Sequence, residues 1–253
     1  RNWIEALNPA NFFALNPEVL EKTAEEHGAN LVRGAQMLLE DMQRGKGAVL
    51  IRQTDMDAFE VGRDMAVTPG KVVWQNDILQ LIQYAPATDK VHETPILFIP
   101  PWINKFYVLD LNTKKSMMQW LVAQGHTVFI ISWVNPDSRH KDRSWEDYMF
   151  DGAVAAIDKV LEETGAKKTH IASYCIGGTL TGAMMAYLSK MKDKRVASTT
   201  FFTAQLDFTD AGDLQVFVDD QTIEAVDQEM DKGFLPAQSM AKAFNMLRAN
   251  DLI

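Results

Sequence analysis

The sequence predicts an α/β fold whose mostly parallel sheet carries helices on both faces. Between residues 95 and 204, short apolar segments alternate with amphipathic ones, and short links join them. Brief apolar runs bounded by turn residues are typical of buried strands, and regular strand–helix–strand alternation produces a parallel sheet. Hydrophobic residues make up 47% of the 253 residues, so a substantial core can form.

Each element of this region follows from its own pattern. Two strands are predicted between Lys71 and Ala85, around a turn at Asn76-Asp77. Gly125 and Gly165 end the first two of the predicted helices. The remaining predicted strands are Pro95–Pro101, His126–Trp133, Thr169–Tyr174 and Arg195–Ala204, and the predicted helices are Lys114–Gln124, Trp145–Thr164 and Ile176–Met191.

Residues 1–70 predict a helical N-terminal arm. Asn16-Pro17-Glu18 combines a capping side chain, a proline in the first turn and an acid near the positive helix end. Apolar residues then recur on one helical face from Val19 to Met42, with Gly28 and Gly34 as weak points. This pattern is equally compatible with two roles. The arm could dock on a larger body or a partner, or its apolar face could simply pack as part of the structure.

The other predicted regions are an α/β core over residues 71–206 and an acidic, helix-prone region over residues 207–253. We expect the second region to begin a cap on the sheet, with a final helix at Ala237–Arg248. The chain does not start with Met, and it ends at Asp251-Leu252-Ile253 without turn residues. We therefore expect it to be a fragment whose α/β core is incomplete.

Composition excludes several classes of protein. A net charge of −9 argues against broad nucleic-acid binding, which needs clustered Lys and Arg. No apolar stretch approaches the roughly 18 residues of a membrane-spanning helix, and the N-terminus lacks the layout of a secretory signal. A cytoplasmic protein is expected. The single cysteine, Cys175, excludes an internal disulfide and a Cys-based metal cage.

The segment Ser173-Tyr174-Cys175-Ile176-Gly177-Gly178 joins a predicted strand to a predicted helix, which is the context of a nucleophile elbow. The sharp turn requires small residues two positions before and after Cys175, and Ser173 and Gly177 meet that requirement. The general motif has Gly where this chain has Ser173, so a buried structural cysteine stays open. We predict that Cys175 is a catalytic nucleophile whose thiolate the helix N-terminus favours, on a fold of the α/β-hydrolase type.

An oxyanion hole in such a fold takes one N–H from the residue after the nucleophile and another from an earlier loop. Ile176 supplies the first donor. The earlier loop is Pro100-Pro101-Trp102-Ile103-Asn104-Lys105, whose prolines have no backbone N–H. Trp102 and Ile103 are therefore the candidates for the second donor, and we favour Ile103. Trp102 could also line an acyl channel or simply pack.

A catalytic base is missing. The five histidines, His27, His92, His126, His140 and His170, all precede Cys175, whereas the base follows the nucleophile in this fold. His170 lies five residues back along an extended strand, about 16 Å away. His140 follows a strand at the correct sheet edge, but we interpret it as a solvated loop residue.

Seven segments follow one another in order along nearly the whole chain: DAFEVGRDMAVT (57–68), PGKVVWQ (69–75), LIQYAP (81–86), PPWINKFYVLDL (100–111), GHTVFIISWVNP (125–136), YCIGGTL (174–180) and FNMLRANDLI (244–253). Together they resemble polyhydroxyalkanoate synthases. The long arm is similar to that of the large synthases that need no second type of subunit.

The resemblance implies polymerisation of (R)-3-hydroxyacyl-CoA onto a growing polyester chain, with CoA released as a product and no separate cofactor or metal. It also implies a Cys–His–Asp triad, a homodimer and attachment to polyester granules in the cytoplasm. We expect the Asp and His to lie beyond Ile253, and the 253 residues alone to be inactive. Two alternatives remain: a Cys-dependent hydrolase or thioesterase on the same fold, and a non-catalytic granule-associated module.

Overall fold

The chain divides into two compact units, residues 1–56 with 241–253 and residues 57–240. The computed structural model describes residues 7–47, 49–51, 55, 57–212, 218–231 and 233–236. The final helix predicted at Ala237–Arg248 lies outside the described residues.

The described part of the first unit contains two α-helices, α1 (Pro17–Glu25) and α2 (Ala29–Arg44). The predicted cap is present, since the Asn16 side chain accepts a hydrogen bond from the backbone N–H of Glu18 at 2.9 Å. The helical run breaks at Gly28, whose φ of 85° is left-handed and favours glycine. Gly34, the other glycine of the run, lies inside α2.

The second unit is built on one central sheet. Among the described residues, six strands form it in the order β1-β2-β6-β3-β7-β8. β1, β2 and β6 pair antiparallel, and the remaining neighbours pair parallel. The strands are β1 (Gly70–Gln75), β2 (Leu79–Tyr84), β3 (Ile96–Ile99), β6 (Val128–Trp133), β7 (Thr169–Tyr174) and β8 (Val196–Phe202), while β4 (Asp110–Asn112) and β5 (Lys115–Ser116) form a separate hairpin.

Helices cover this sheet on both faces. α3 (Met117–Ala123) packs on one face, and α4 (Ala155–Thr164) and α5 (Ile176–Lys190) pack on the other. A π-helical segment, Tyr148–Val154, leads directly into α4. The last helix within the described residues, α6 (Asp220–Glu229), lies in the acidic region that the sequence marks as helix-prone. None of the described helices combines the length and apolar character of a bilayer-spanning helix.

Alternation along the central strands divides the core between the two faces. Leu97 and Ile99 of β3 point into the cluster with α4 and α5, while Phe98 points into the cluster with α3. Successive side chains of a strand face opposite sides of the sheet, so a continuous apolar run serves two layers of helices. The predicted fold class is therefore confirmed: a mostly parallel sheet covered on both faces.

Several predicted ends differ from the structure by one or two residues, for example Arg195–Ala204, which is observed as Val196–Phe202, and two predicted helices differ more. The helix predicted at Lys114–Gln124 begins only at Met117, because Lys115 and Ser116 pair with the strand that starts at Asp110. The helix predicted at Trp145–Thr164 is interrupted by the π-helical segment, in which Gly152 faces Trp133. A Cβ on Gly152 would lie 2.7 Å from the Trp133 ring, so the two elements approach closely.

Candidate active site

Cys175 stands at a sharp turn between β7 and α5. Its φ of 52° and ψ of −136° are a conformation that side-chain-bearing residues rarely adopt. Such strain persists only where the surroundings impose it, and it concentrates at functional sites. The backbone N–H of Cys175 donates to the carbonyl of Phe202 at 3.2 Å, and its own carbonyl accepts from Gly178 at 2.9 Å. The thiol-bearing residue is exposed.

The small residues around this turn are required by close packing. Ser173 is fully buried, and a Cβ on Gly177 would lie 2.4 Å from the carbonyl oxygen of Ile99. A Cβ on Gly178 would lie 2.3 Å from the Cβ of Ala204, in the segment after β8. The helix start is therefore pressed against the ends of both neighbouring strands, which lifts Cys175 above the sheet edge.

The environment of Cys175 combines a helix end with a buried phenol. Cys175 is the N-cap of α5 and Ile176 its first residue, so the N–H of Ile176 is one of the first-turn groups without an acceptor inside the helix. The partial positive charge of a helix N-terminus favours an anion there. Burial, and to a lesser extent the neighbouring Cys175, raise the pKa of Tyr174 to about 12.

The loop after β3 lies directly beside this turn. A Cβ on Gly177 would also lie 2.7 Å from the backbone carbon of Pro100, and the indole N–H of Trp133 donates to the Pro100 carbonyl at 2.7 Å. Ile103 follows in a bend and is 42% exposed. The structure thus brings together the two segments that hold Cys175, Ile176 and Ile103, while the roles of these residues stay predictions.

The histidines of the second unit lie either at the opposite end of the sheet or several strands away from Cys175. His170 pairs with Ile96 at the start of β3, and His92 and His126 stack at 4.6 Å near the same end of the sheet. The prediction that His140 is solvated is wrong. Its side chain is buried, and its Nε2 lies 3.0 Å from the carbonyl oxygen of Asp77, which precedes β2. His140 therefore lies beside β2, whereas Cys175 follows β7. These two strands are three positions apart in the sheet, about 14 Å.

Two buried polar features were not found from the sequence. Oδ1 of the fully buried Asp110 accepts hydrogen bonds from Thr68 at 2.5 Å and Ser116 at 2.6 Å, which joins the approach to β1 with the β4–β5 hairpin. The second feature is the hydrogen bond from the indole N–H of Trp133 to the Pro100 carbonyl, which holds the loop after β3. A sequence signal existed only for Ser116, as a helix cap. Among the described residues, no three His, Cys, Asp or Glu side chains are grouped as a metal ion requires.

The strand order and the turn at Cys175 together define a fold of the α/β-hydrolase type. Among the described residues, the four parallel strands β6, β3, β7 and β8 end at one edge, and the residue after β7 carries the exposed thiol at positive φ. Among solved structures, the chain is similar to the HSL-homolog EstE7 from a metagenome library, with 16% identity, 67% and 52% coverage of the two chains and a TM-score of 0.41. The fold assignment rests on the protein's own topology rather than on this weak likeness.

Sequence comparisons give the family. Residues 1–121 match the model of the poly-beta-hydroxybutyrate polymerase (PhaC) N-terminus. The chain is 52% identical to a poly(3-hydroxyalkanoate) polymerase of Methylorubrum extorquens, over 100% of this chain and 42% of that protein. It is 42% identical to the polymerase subunit PhaC of Cupriavidus necator, over 99% of this chain and 43% of that protein. The predicted resemblance is confirmed: the chain is homologous over its whole length to poly(3-hydroxyalkanoate) polymerases, and it spans less than half of their length.

Proposed function

We propose that this chain carries the nucleophile of an acyltransferase that polymerises (R)-3-hydroxyacyl-CoA into polyester, through a thioester on Cys175. The observation that carries the proposal is the exposed Cys175 at positive φ, at the N-terminus of α5. In a chain homologous to poly(3-hydroxyalkanoate) polymerases, this is the geometry that an acyl-accepting sulfur requires. Ile176 and Ile103 are the proposed N–H donors to the attacked carbonyl.

Cysteine suits this chemistry because the acyl group stays activated. The sulfur of Cys175 attacks the acyl carbonyl, a new C–S bond forms, and the C–S bond to CoA breaks as CoA leaves as a thiol. One thioester replaces another, so little free energy is lost. A hydroxyl of a monomer or a growing chain then displaces the sulfur and forms the more stable oxoester. Covalent catalysis thus divides the transfer into two accessible steps.

The base and its orienting acid are proposed to come from residues outside this chain. No histidine follows Cys175, and the histidines of the second unit lie at the opposite sheet edge or beside Asp77. The chain covers 42% of its Methylorubrum relative. On this proposal CoA is part of the substrate and no cofactor is used. The protein acts as a homodimer at the surface of cytoplasmic polyester granules.

The decisive experiment compares Cys175→Ala with the unchanged protein in the complete polypeptide. With 3-hydroxybutyryl-CoA, we expect CoA release and polymer in the unchanged protein, and a loss on the order of 10⁴-fold or more in the variant. Ser189→Ala, an exposed position in the same helix, is the matched control and retains activity. The 253 residues alone are expected to show no steady CoA release.

The products separate the alternatives. Free 3-hydroxy acid in place of insoluble polymer identifies a hydrolase or thioesterase. An unchanged granule phenotype in the Cys175→Ala variant identifies a non-catalytic granule module and contradicts the proposal.

A further inference from the structure

We propose that Trp133 is a positioning residue for the acyl transfer, acting through the Pro100 carbonyl to hold the oxyanion loop. This inference rests on the proposed function of Cys175. It concerns a different element, since Trp133 ends β6 whereas Cys175 follows β7.

The Pro100 peptide is held from two sides. On one side, the indole N–H of Trp133 donates to the Pro100 carbonyl at 2.7 Å, which is a short hydrogen bond for an N–H donor. On the other side, Gly177 of α5 packs so closely that a Cβ there would lie 2.8 Å from the same oxygen. The carbonyl is therefore clamped between the last residue of β6 and the helix that begins at the nucleophile.

The Pro100 carbonyl that is held in this way directly precedes the proposed oxyanion donors. Pro100 and Pro101 have no N–H, so the first backbone donors after β3 are those of Trp102 and Ile103. Proline also fixes its own φ, so the path from the Pro100 carbonyl to those donors is stiff. A shift of this carbonyl is passed on to the N–H groups, and catalysis by an oxyanion hole depends on their placement.

Trp133 is itself held firmly. Its ring contacts Gly152 in the π-helical segment, where no side chain would fit. It also packs against Tyr148 at 5.3 Å and edge-on against Trp102 at 6.2 Å, between ring centroids. π-helical insertions are frequent at functional sites. Here the insertion places Gly152 and Tyr148 against the ring whose N–H holds the loop.

The test replaces only the N–H. In the complete polypeptide, Trp133 is exchanged for 3-benzothienylalanine, an isostere with sulfur in place of the indole N–H. Single-turnover acylation of Cys175 by 3-hydroxybutyryl-CoA is expected to slow by about two- to tenfold, the equivalent of one hydrogen bond. Alkylation of Cys175 by iodoacetamide is expected to keep its rate, because displacement of iodide places no negative charge on a carbonyl oxygen.

Controls separate this inference from folding and from the proposed function. The same isostere at Trp120, which is 58% exposed, should change neither rate. Trp133→Phe is a second variant, expected to slow acylation more than alkylation. Unchanged acylation in both Trp133 variants, or equal slowing of acylation and alkylation, overturns the positioning role. If Cys175→Ala still makes polymer, the proposed function fails instead.

Discussion

Gly177→Ala should disable the site through a clash of backbone atoms. The added Cβ would lie 2.4 Å from the Ile99 oxygen and 2.7 Å from the Pro100 carbon, whereas carbon–oxygen contacts are normally about 3.3 Å or longer. Both obstacles are backbone atoms, so no side-chain rotation relieves them. The start of α5 and the end of β3 must separate by about 1 Å. A misplacement of that size costs about 10²-fold in rate, and overpacking costs about 1–3 kcal/mol of stability.

The assay pairs CoA release from 3-hydroxybutyryl-CoA with equilibrium unfolding in urea. Gly34→Ala is the matched control, because an added Cβ there has no atom within 4 Å. In the interior of α2 this change should stabilise by up to about 1 kcal/mol. If Gly177→Ala keeps the rate and stability of the unchanged protein, the close contact between the turn at Cys175 and the loop after β3 is refuted.

Two further changes test the surrounding structure. Asp110→Ala removes the acceptor of two hydroxyls from a fully buried site, so urea unfolding should show a loss of about 3 kcal/mol; a loss below about 1 kcal/mol would contradict this reading. Burial, and then His92 and His170, lower the pKa of His126 below 6.5. As the pH falls, His126 is therefore protonated in the unfolded chain at a higher pH than in the folded protein. The free energy of unfolding should decrease as the pH drops below 6.5 toward the lowered pKa. His126→Phe should flatten the dependence of Tm on pH in that range, and an equally steep dependence in the variant would oppose the prediction.

The fold could be predicted where the pattern is local. Thr169–Tyr174 is a strand with the predicted bounds, because the segment holds the β-favouring residues Thr169, Ile171 and Tyr174 and follows the helix end at Gly165. The predictions are wrong where a contact with residues elsewhere in the sequence determines the local structure. Lys115 and Ser116 belong to a hairpin rather than to α3 because they pair with the strand that begins at Asp110. In the π-helical segment before α4, Gly152 packs against the Trp133 ring, a contact that no helical period encodes.

The same distinction governs the site. The turn at Cys175 could be predicted because strand, turn and helix are contained in consecutive residues. The Trp133–Pro100 hydrogen bond joins residues 33 positions apart, and the Thr68–Asp110 bond joins residues 42 positions apart. Such pairs follow only from the strand order. For the same reason, the sequence alone does not indicate that His140 is buried, since its partner Asp77 lies 63 positions earlier.

The strand order is also what joins the two halves of the site. β3 lies between β6 and β7 and runs parallel to both, so the segments that follow all three strands meet at one edge of the sheet. Trp133 ends β6, Pro100 follows β3, and Cys175 follows β7. A sulfur that accepts an acyl group needs donors held in place before the charge develops. The loop that carries the proposed donor Ile103 is held on one side by Trp133 of β6 and on the other by the helix after Cys175. We therefore expect the sulfur and this donor to keep a fixed position relative to each other.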